Sequence, residues 1–408
     1  GERGLVFWDE TSQLVDSSGR VTPLGRQTAG YLGKITGGIA MLLLASDRQY
    51  DPIALVYSPA SQRTRWLLDA MPKGDAWSRQ GPDESYADNA IRASTRQFTW
   101  AIEHQGLQHR YVTATQIEQG GLQQAGYRVL LLPQDIAMSD AEAEAIGRFV
   151  AAGGTLIADG MPGTFDQHSR KRNASPLAPL FAAASARSGG GEAYEFAPKP
   201  ETDPDFIGEL GGLLGRAGVR PVYRLQRADG GAVQDVESYR FDNGGVGILG
   251  LLRNPPSTVV AGATAPESEA AESVTLILPA PAFVYDLLAG RPLGRRDKVE
   301  LSLPRDEPTI LAISDTALPA PAITMPTHGR LGDIVSIGLA FAGPSSAAHH
   351  VLHIDIVDPG GGIVRNYSGN LSFAGDAGRG LLPVALNDKP GRWHARITDV
   401  LSGQTATA

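Results

Sequence analysis

The chain has 408 residues, with 36 Lys and Arg against 44 Asp and Glu, which gives a net charge of −8. This length predicts about two to four domains, and the acidic balance argues against a nucleic-acid partner, which usually binds a basic face. There is no Cys, so disulfides, thiolate metal sites and cysteine nucleophiles are excluded while the compartment stays open. No apolar run approaches the ~20 residues of a membrane span, and we expect no membrane partner.

The first fifty residues predict one strand and one long helix. Residues 4–8 are apolar and precede Asp9 and Glu10, and Thr22-Pro23 is typical of a helix start. Apolar residues then recur every three or four positions up to Leu42, and Asp51-Pro52 ends the pattern. The first residues show no signal-peptide pattern. Because the chain begins with Gly1 and lacks an initiator Met, we expect a piece of a longer gene product.

Strands and helices alternate over residues 51–216. The predicted strands are short apolar runs of the kind buried in parallel sheets: Ile53–Tyr57, Arg110–Thr115, Tyr127–Leu132 and Thr155–Ala158. Helical faces lie between them, and Ser139 with Glu142 has the spacing of a capping box, in which the Glu side chain reaches back. Residues 185–204 are rich in Gly, Ser and Pro, and one more helix is predicted over Phe206–Arg216. The fold class is therefore α/β, with a doubly wound domain, followed by an all-β part.

The remaining residues have a period of two. Residues 217–316 predict an antiparallel β domain with a hairpin around Asp242–Gly245 and further strands at Val274–Leu278, Ala282–Leu288, Val299–Leu303 and Thr309–Ile313. Residues 317–322 predict a stiff linker, because Pro alternates there with Ala. Residues 317–408 predict a C-terminal β-sandwich of immunoglobulin-like type, with six or seven strands.

The candidate site residues follow the predicted parallel strands, because ligands of open α/β sheets bind at the carboxyl ends. Polar side chains there include Ser58, Gln134 and Asp159, and the next loop adds Asp166, His168 and Arg170. A carboxylate near an imidazole can do acid–base work or hold a sugar hydroxyl. The alternative, which the sequence favours, is that these side chains cap helices and hydrogen-bond loop backbone.

Aromatic and histidine residues give weaker signals. Trp66, Trp77 and Trp100 are able to stack on sugars, but Trp100 lies within an amphipathic helix, which favours a place in the core. Trp77 and Arg79, in a Pro- and Gly-flanked loop, are the better candidates for a ligand or partner contact. His349 and His353 share a strand face but lie about 13 Å apart, which is too far for one ion. We therefore predict no metal site and no cofactor, and no nucleophile motif indicates a self-sufficient hydrolase.

Several segments together resemble a known family. Residues 53–61, 66–68, 127–133, 138–142 and 149–159 look like the glutamine-amidotransferase-like trimerisation domain of glycoside hydrolase family 42 β-galactosidases. The opening residues resemble the last strand and helix of that family's barrel, taken as residues 1–50. Residues 284–290 and 393–403 resemble its trailing β domains.

The resemblance implies a flavodoxin-like, class I glutamine amidotransferase-like domain over 51–216, followed by two β-sandwich-type domains. It implies that Ala158-Asp159-Gly160 stands where true amidotransferases carry a Cys, so that glutaminase chemistry is lost. It also implies that the catalytic glutamates lie on barrel strands before residue 1. The chain is then a non-catalytic region serving oligomerisation, active-site walling and carbohydrate contact, with a homo-oligomer expected.

Two other functions remain open from the sequence. One is an independent small-molecule hydrolase that uses Asp159, Asp166 and His168. The other is a carbohydrate-binding module formed by residues 317–408. Turnover by the chain itself favours the first, and saturable glycan binding favours the second.

Overall fold

The computed structural model describes residues 13–72, 74, 89–182, 191–197, 203–231, 233, 236–253, 271–305, 307–341 and 348–408. The chain divides into two compact units. One unit is formed by residues within 1–49, 239–251 and 271–408, and the other by residues within 50–238 and 252–270. Among the described residues, no helix is both long and apolar enough to span a membrane.

The helices of the described residues are mostly short. They are α1 (Pro23–Lys34), α2 (Ala40–Leu44), α3 (Pro59–Ala70), α4 (Ala90–Glu103), α5 (Ala114–Glu118), α6 (Gly121–Gln124), α7 (Asp140–Ala151), α8 (Ala178–Ala182) and α9 (Pro204–Arg216).

The strands up to the first long hairpin are β1 (Asp47–Gln49), β2 (Ile53–Tyr57), β3 (Arg110–Thr113), β4 (Val129–Leu132), β5 (Ala137–Met138), β6 (Thr155–Asp159), β7 (Phe165–Asp166), β8 (Ala193–Phe196), β9 (Arg224–Arg227), β10 (Val236–Asn243) and β11 (Val246–Arg253). The later strands are β12 (Glu272–Asp286), β13 (Arg291–Leu303), β14 (Thr309–Ser314), β15 (Pro321–Thr324), β16 (Ile334–Phe341), β17 (His349–Val357), β18 (Gly369–Ala374), β19 (Ala377–Pro383), β20 (His394–Asp399) and β21 (Thr405–Thr407).

A parallel sheet of five strands organises the second unit. Its order is β3-β2-β4-β6-β8, and all four neighbouring pairs run parallel. Numbered along the chain, the sheet strands therefore follow the spatial order 2-1-3-4-5. Strands β2, β4 and β6 are buried almost throughout, as expected for apolar strands covered on both faces.

Alternate residues of these strands enter two separate cores. On one face, Leu130 and Leu156 pack with Ile146 and Phe149 of α7. On the other face, Leu131 and Ile157 pack with residues of α4 and α9. Helices therefore cover both sides of the sheet, which is the layer arrangement that the alternating sequence predicted.

Strand β8 is the fifth strand of this sheet and was not predicted. It lies in the Gly-, Ser- and Pro-rich stretch that we treated as a connection. Only four residues long, it pairs at the sheet edge with β6. Such a short segment carries too little periodicity to be recognised, and its partner supplies the hydrogen bonds that define it.

The predicted long helix is interrupted. Helices α1 and α2 are joined by a π-helical segment, Ile35–Ile39, in which Gly38 has φ +122°. Ile39 and Leu42 are buried as the periodicity predicts, but Leu24 and Ile35 on the same predicted face are exposed. A non-helical glycine rotates the face, so the apolar stripe is not continuous.

An antiparallel sheet fills much of the first unit. Six of its strands follow the order β1-β10-β11-β14-β12-β13. Gly244 and Gly245 form the predicted turn between β10 and β11, both with positive φ, as a tight hairpin requires. The two predicted strands around Pro279 and Pro281 are one strand, β12, whose register shifts between Ile277 and Ala282. Proline has no amide hydrogen to donate to the neighbouring strand. The two prolines therefore cause a local irregularity within β12, where we had predicted that one strand ends and another begins.

The C-terminal strands form a β-sandwich, as predicted. Its sheets are β15-β16-β19 and β18-β17-β20-β21, and residues of both enclose one apolar core. The predicted linker is anchored: Leu318 is buried, and its amide donates to the Tyr285 hydroxyl at 2.8 Å. Strand β15 then begins at Pro321 within the same segment.

Candidate functional site

The carboxyl ends of β4 and β6 are tied together by two of the candidate residues. The amide of Gln134 donates to Oδ1 of Asp159 at 2.7 Å, and its side-chain amide donates to the Asp159 carbonyl. Asp159 is 2% exposed. Burial raises the pKa of Asp159, and the hydrogen bonds from Gln134 oppose that rise. This carboxylate therefore holds the turn after β4.

Gln134 has a backbone conformation that non-glycine residues rarely adopt. Its φ is +45°, in the left-handed region. The two hydrogen bonds to Asp159 compensate that conformation. Strained residues of this kind are often found beside functional sites, which directs attention to the sheet edge around it.

The loop with Asp166, His168 and Arg170 is a hydrogen-bonded turn. Oδ1 of Asp166 accepts from the amides of His168 and Arg170, both at 2.9 Å. The hydrogen bond from the Arg170 amide is the main reason that the pKa of Asp166 is lowered. The His168 and Arg170 side chains are exposed, and Ser169, with φ +66°, contacts the Thr64 hydroxyl at 2.8 Å. In this loop the carboxylate caps backbone amides, as the alternative interpretation expected.

Ser58 both caps a helix and lines a cavity. Its hydroxyl caps α3 by accepting from the Ser61 amide at 3.2 Å. The same residue lines a cavity of about 810 Å³ at the carboxyl end of β2. Trp77 and Arg79, the remaining candidates, lie outside the described residues.

This cavity, which we call the switch-point cleft, lies where strand order reverses. Tyr57 and Ser58 lie at the end of β2, and Pro133 follows β4. Strands β2 and β4 are neighbours in the sheet, although β3 lies between them in the sequence and pairs with the other side of β2. In open α/β sheets, ligands bind at such reversal points. Helices α3 and α4 form the remaining walls.

Of the six residues that characterise the cleft, sequence reasoning pointed only to Tyr57, at a strand end, and Trp66, as a ring able to stack on sugars. The six residues are three arginines on the two helices and three aromatic residues: Arg63, Arg92, Arg96, Tyr57, Trp66 and Tyr111. One signal was present in the sequence, because Arg92 and Arg96 are spaced by four and so share a helix face. Nothing in the sequence told which way that face points.

A second cavity lies in the C-terminal sandwich and has a volume of about 800 Å³. Tyr367 and Trp393 line it with ring centroids 6.0 Å apart. The Tyr367 hydroxyl donates to Asp388 at 2.6 Å, and the Trp393 indole donates to the Lys389 carbonyl at 3.1 Å. Both rings are therefore fixed in orientation.

The described residues contain no group of three or more His, Asp or Glu side chains placed to hold a metal ion. His350 is buried and stacks on Phe341 at a centroid distance of 3.8 Å, so it belongs to the sandwich core.

Comparison with known proteins gives matches in structure only. The sequence matches no protein-family model and none of the curated proteins. A β-galactosidase from Bacillus circulans sp. alkalophilus is similar with a TM-score of 0.51 and 17% identity, over 74% of this chain and 47% of that one. This chain therefore has a fold similar to that of part of this β-galactosidase.

Two further β-galactosidase structures are similar over the same share of this chain. A catalytic mutant of a GH42 enzyme from G. stearothermophilus matches with 13% identity and a TM-score of 0.48, over 74% of this chain and 45% of that one. An enzyme from the haloarchaeon Halorubrum lacusprofundi matches with 14% identity and a TM-score of 0.44, over 74% and 45%. The chain therefore spans about half the length of the β-galactosidase structures it matches.

Proposed function

We propose that this chain is the non-catalytic C-terminal region of a larger glycoside hydrolase. The observation that carries the proposal is the structural match to a β-galactosidase, which covers most of this chain but only 47% of the other. In this role the α/β unit mediates assembly into a homo-oligomer or forms a wall of the active site, and the β domains contact carbohydrate.

The strand order supports a finer assignment of the α/β unit. The spatial order 2-1-3-4-5 with helices on both faces is that of the flavodoxin-like folds. We assign this unit as a flavodoxin-like, amidotransferase-like domain. In an amidotransferase the nucleophile follows a central strand. The central strand of this sheet is β4, and Gln134, which follows it, is no nucleophile and donates hydrogen bonds to Asp159 at the end of β6. The domain therefore serves structure rather than glutamine hydrolysis.

Activity assays test the proposal directly. The chain and an upstream-extended form of its gene product are compared on chromogenic glycosides, galactosides included. We expect hydrolysis by the extended protein alone. Turnover by the chain itself, lost in His168→Ala, would overturn the proposal in favour of an independent hydrolase. Sedimentation analysis of both proteins tests oligomerisation, and a monomeric extended protein would exclude it.

A carbohydrate-binding role of the C-terminal sandwich is favoured by the second cavity. Fixed aromatic rings beside polar groups are a frequent arrangement in ligand pockets, and Tyr367 and Trp393 provide such rings. Saturable binding of glycans by the chain, lost in Trp393→Ala and kept in Arg65→Gln, which changes a residue outside both cavities, would support this role. An unchanged affinity in Trp393→Ala would exclude the second cavity as the site.

A further inference from the structure

The switch-point cleft concentrates positive charge in an acidic chain. Arg63 of α3 and Arg92 and Arg96 of α4 all line it, although the chain has a net charge of −8. Within the described part of the chain, the lining includes no Asp or Glu. Arginines from two helices line one cavity here, whereas the solvent-exposed face of a helix usually carries both positively and negatively charged side chains. Guanidinium groups recognise carboxylate and sulfate-like oxygens through paired hydrogen bonds.

The cleft also presents three aromatic rings to solvent. Tyr57, Trp66 and Tyr111 are 47%, 46% and 53% exposed. Two of them come from strands β2 and β3 and one from α3, so their positions are set by separate elements that the sheet holds together. Aromatic faces offer large, rigid contact area to a flat apolar surface such as the C–H face of a sugar ring. Ring stacking and anion recognition are therefore available within one cavity of about 810 Å³.

We propose that the switch-point cleft binds an anionic saccharide, a sugar that carries carboxylate or sulfate groups. The arginines take the acidic group, and the aromatic rings take the ring faces. The cavity volume lies in the range of small-ligand sites and accommodates a short oligosaccharide. The saccharide part of this inference rests on the proposed glycoside-hydrolase role, whereas the anionic part rests on the arginines alone.

Calorimetric titration of the whole chain tests the proposal without any activity assay. The probes are a galacturonic acid trisaccharide, galactose 6-sulfate, a neutral galactose trisaccharide and inorganic sulfate. We expect one or both charged sugars to bind at least about tenfold more tightly than the neutral trisaccharide and than inorganic sulfate. Affinity falls as salt rises, because the arginines are exposed to screening.

Substitutions on one helix locate the site. Arg63→Gln is expected to weaken binding of the charged sugar by about tenfold, and Trp66→Ala by a similar factor. Arg65→Gln is the matched control, since Arg65 lies on the same helix, pairs with Asp69 at 3.1 Å and does not line the cleft. Thermal unfolding of each variant verifies that it folds.

Three results would overturn the inference. Absence of binding by both charged sugars at millimolar concentration excludes the ligand class. Equal affinity for inorganic sulfate and the charged sugars excludes recognition of the sugar ring. An equal effect of Arg63→Gln and Arg65→Gln excludes the cleft. None of these outcomes alters the comparison of glycosidase activity, so failure here and failure of the proposed function are distinguished.

Discussion

The Ser61 hydroxyl donates a hydrogen bond of 2.6 Å to Oδ1 of Asp135, which ties the start of α3 to the loop after β4. Asp135 is 2% exposed, and among the described residues its Oδ2 has no hydrogen-bond partner. Burial raises the pKa of Asp135 to about 6. The nearby Glu142 is also buried, and burial together with the Asp135 charge raises its pKa to about 8.

Glu142→Gln should stabilise the protein in alkaline solution. The folded-state pKa of Glu142 lies above its ordinary value of 4.5, so its stabilising contribution is complete below that value and is lost as pH rises through about 8. The amide of Gln at position 142 does not ionise, so the Glu142→Gln variant keeps its free energy of unfolding as pH rises. We expect the variant to exceed the wild type by on the order of a few kcal/mol in free energy of unfolding at pH 9 and to lie within about 1 kcal/mol of it at pH 5.

Urea unfolding at both pH values measures this effect. Glu144→Gln is the control, because Glu144 lies on the same helix with a largely exposed side chain that faces Arg148 at 3.9 Å. The Glu144→Gln variant should follow the wild type at both values. A Glu142→Gln variant that loses stability equally at pH 5 and pH 9 would contradict the argument.

Two substitutions of Gln134 distinguish the contribution of its side-chain hydrogen bond to stability from the cost of its left-handed backbone conformation. Both Gln134→Gly and Gln134→Ala remove the side-chain hydrogen bond to the Asp159 carbonyl. Only glycine adopts a φ of +45° without a Cβ penalty. We expect Gln134→Gly to be more stable than Gln134→Ala by about 1 kcal/mol in chemical unfolding. Equal stability of the two variants would show that the left-handed conformation is not retained.

Asp166→Ala should lower the unfolding temperature, whereas His168→Ala should leave it close to that of the wild type. The Asp166 carboxylate accepts two backbone hydrogen bonds, and removing it leaves both amides to solvent. The His168 side chain is exposed. Differential scanning calorimetry measures the pair. If His168→Ala proved the more damaging change, the imidazole would have a structural role that the turn does not account for.

Gly38→Ala should destabilise the first unit. The added Cβ would lie 2.6 Å from Cγ2 of Val400 and 3.1 Å from Cγ1 of Val351, at a φ of +122°. We expect a loss of about 1–3 kcal/mol in free energy of unfolding, from overpacking and backbone strain. Gly37→Ala is the matched control, since its Cβ would meet no atom within 4 Å. That control should gain about 0.5–1 kcal/mol, because alanine favours a helix.

The sequence alone determined the elements whose signals are local. The run Ile53–Tyr57 is a buried strand at the predicted residues, because a continuous apolar segment has only the interior available to it. Ser139 caps α7, since its hydroxyl accepts from the Glu142 amide within one turn at 2.9 Å. The glycine turn between β10 and β11 was equally local, because only glycine takes positive φ twice without strain.

Only the tertiary structure decided features that depend on what an element packs against. The predicted capping box is half realised: the Glu142 side chain lies 1% exposed instead of reaching back to the helix start. Strand β8 exists because β6 offers an unpaired edge. The switch-point cleft exists because the sheet order sets α3 beside α4 and turns Arg63 and Arg92 to one cavity. Spacing along the chain fixes which residues share a face, but the direction of that face depends on contacts with residues distant in sequence.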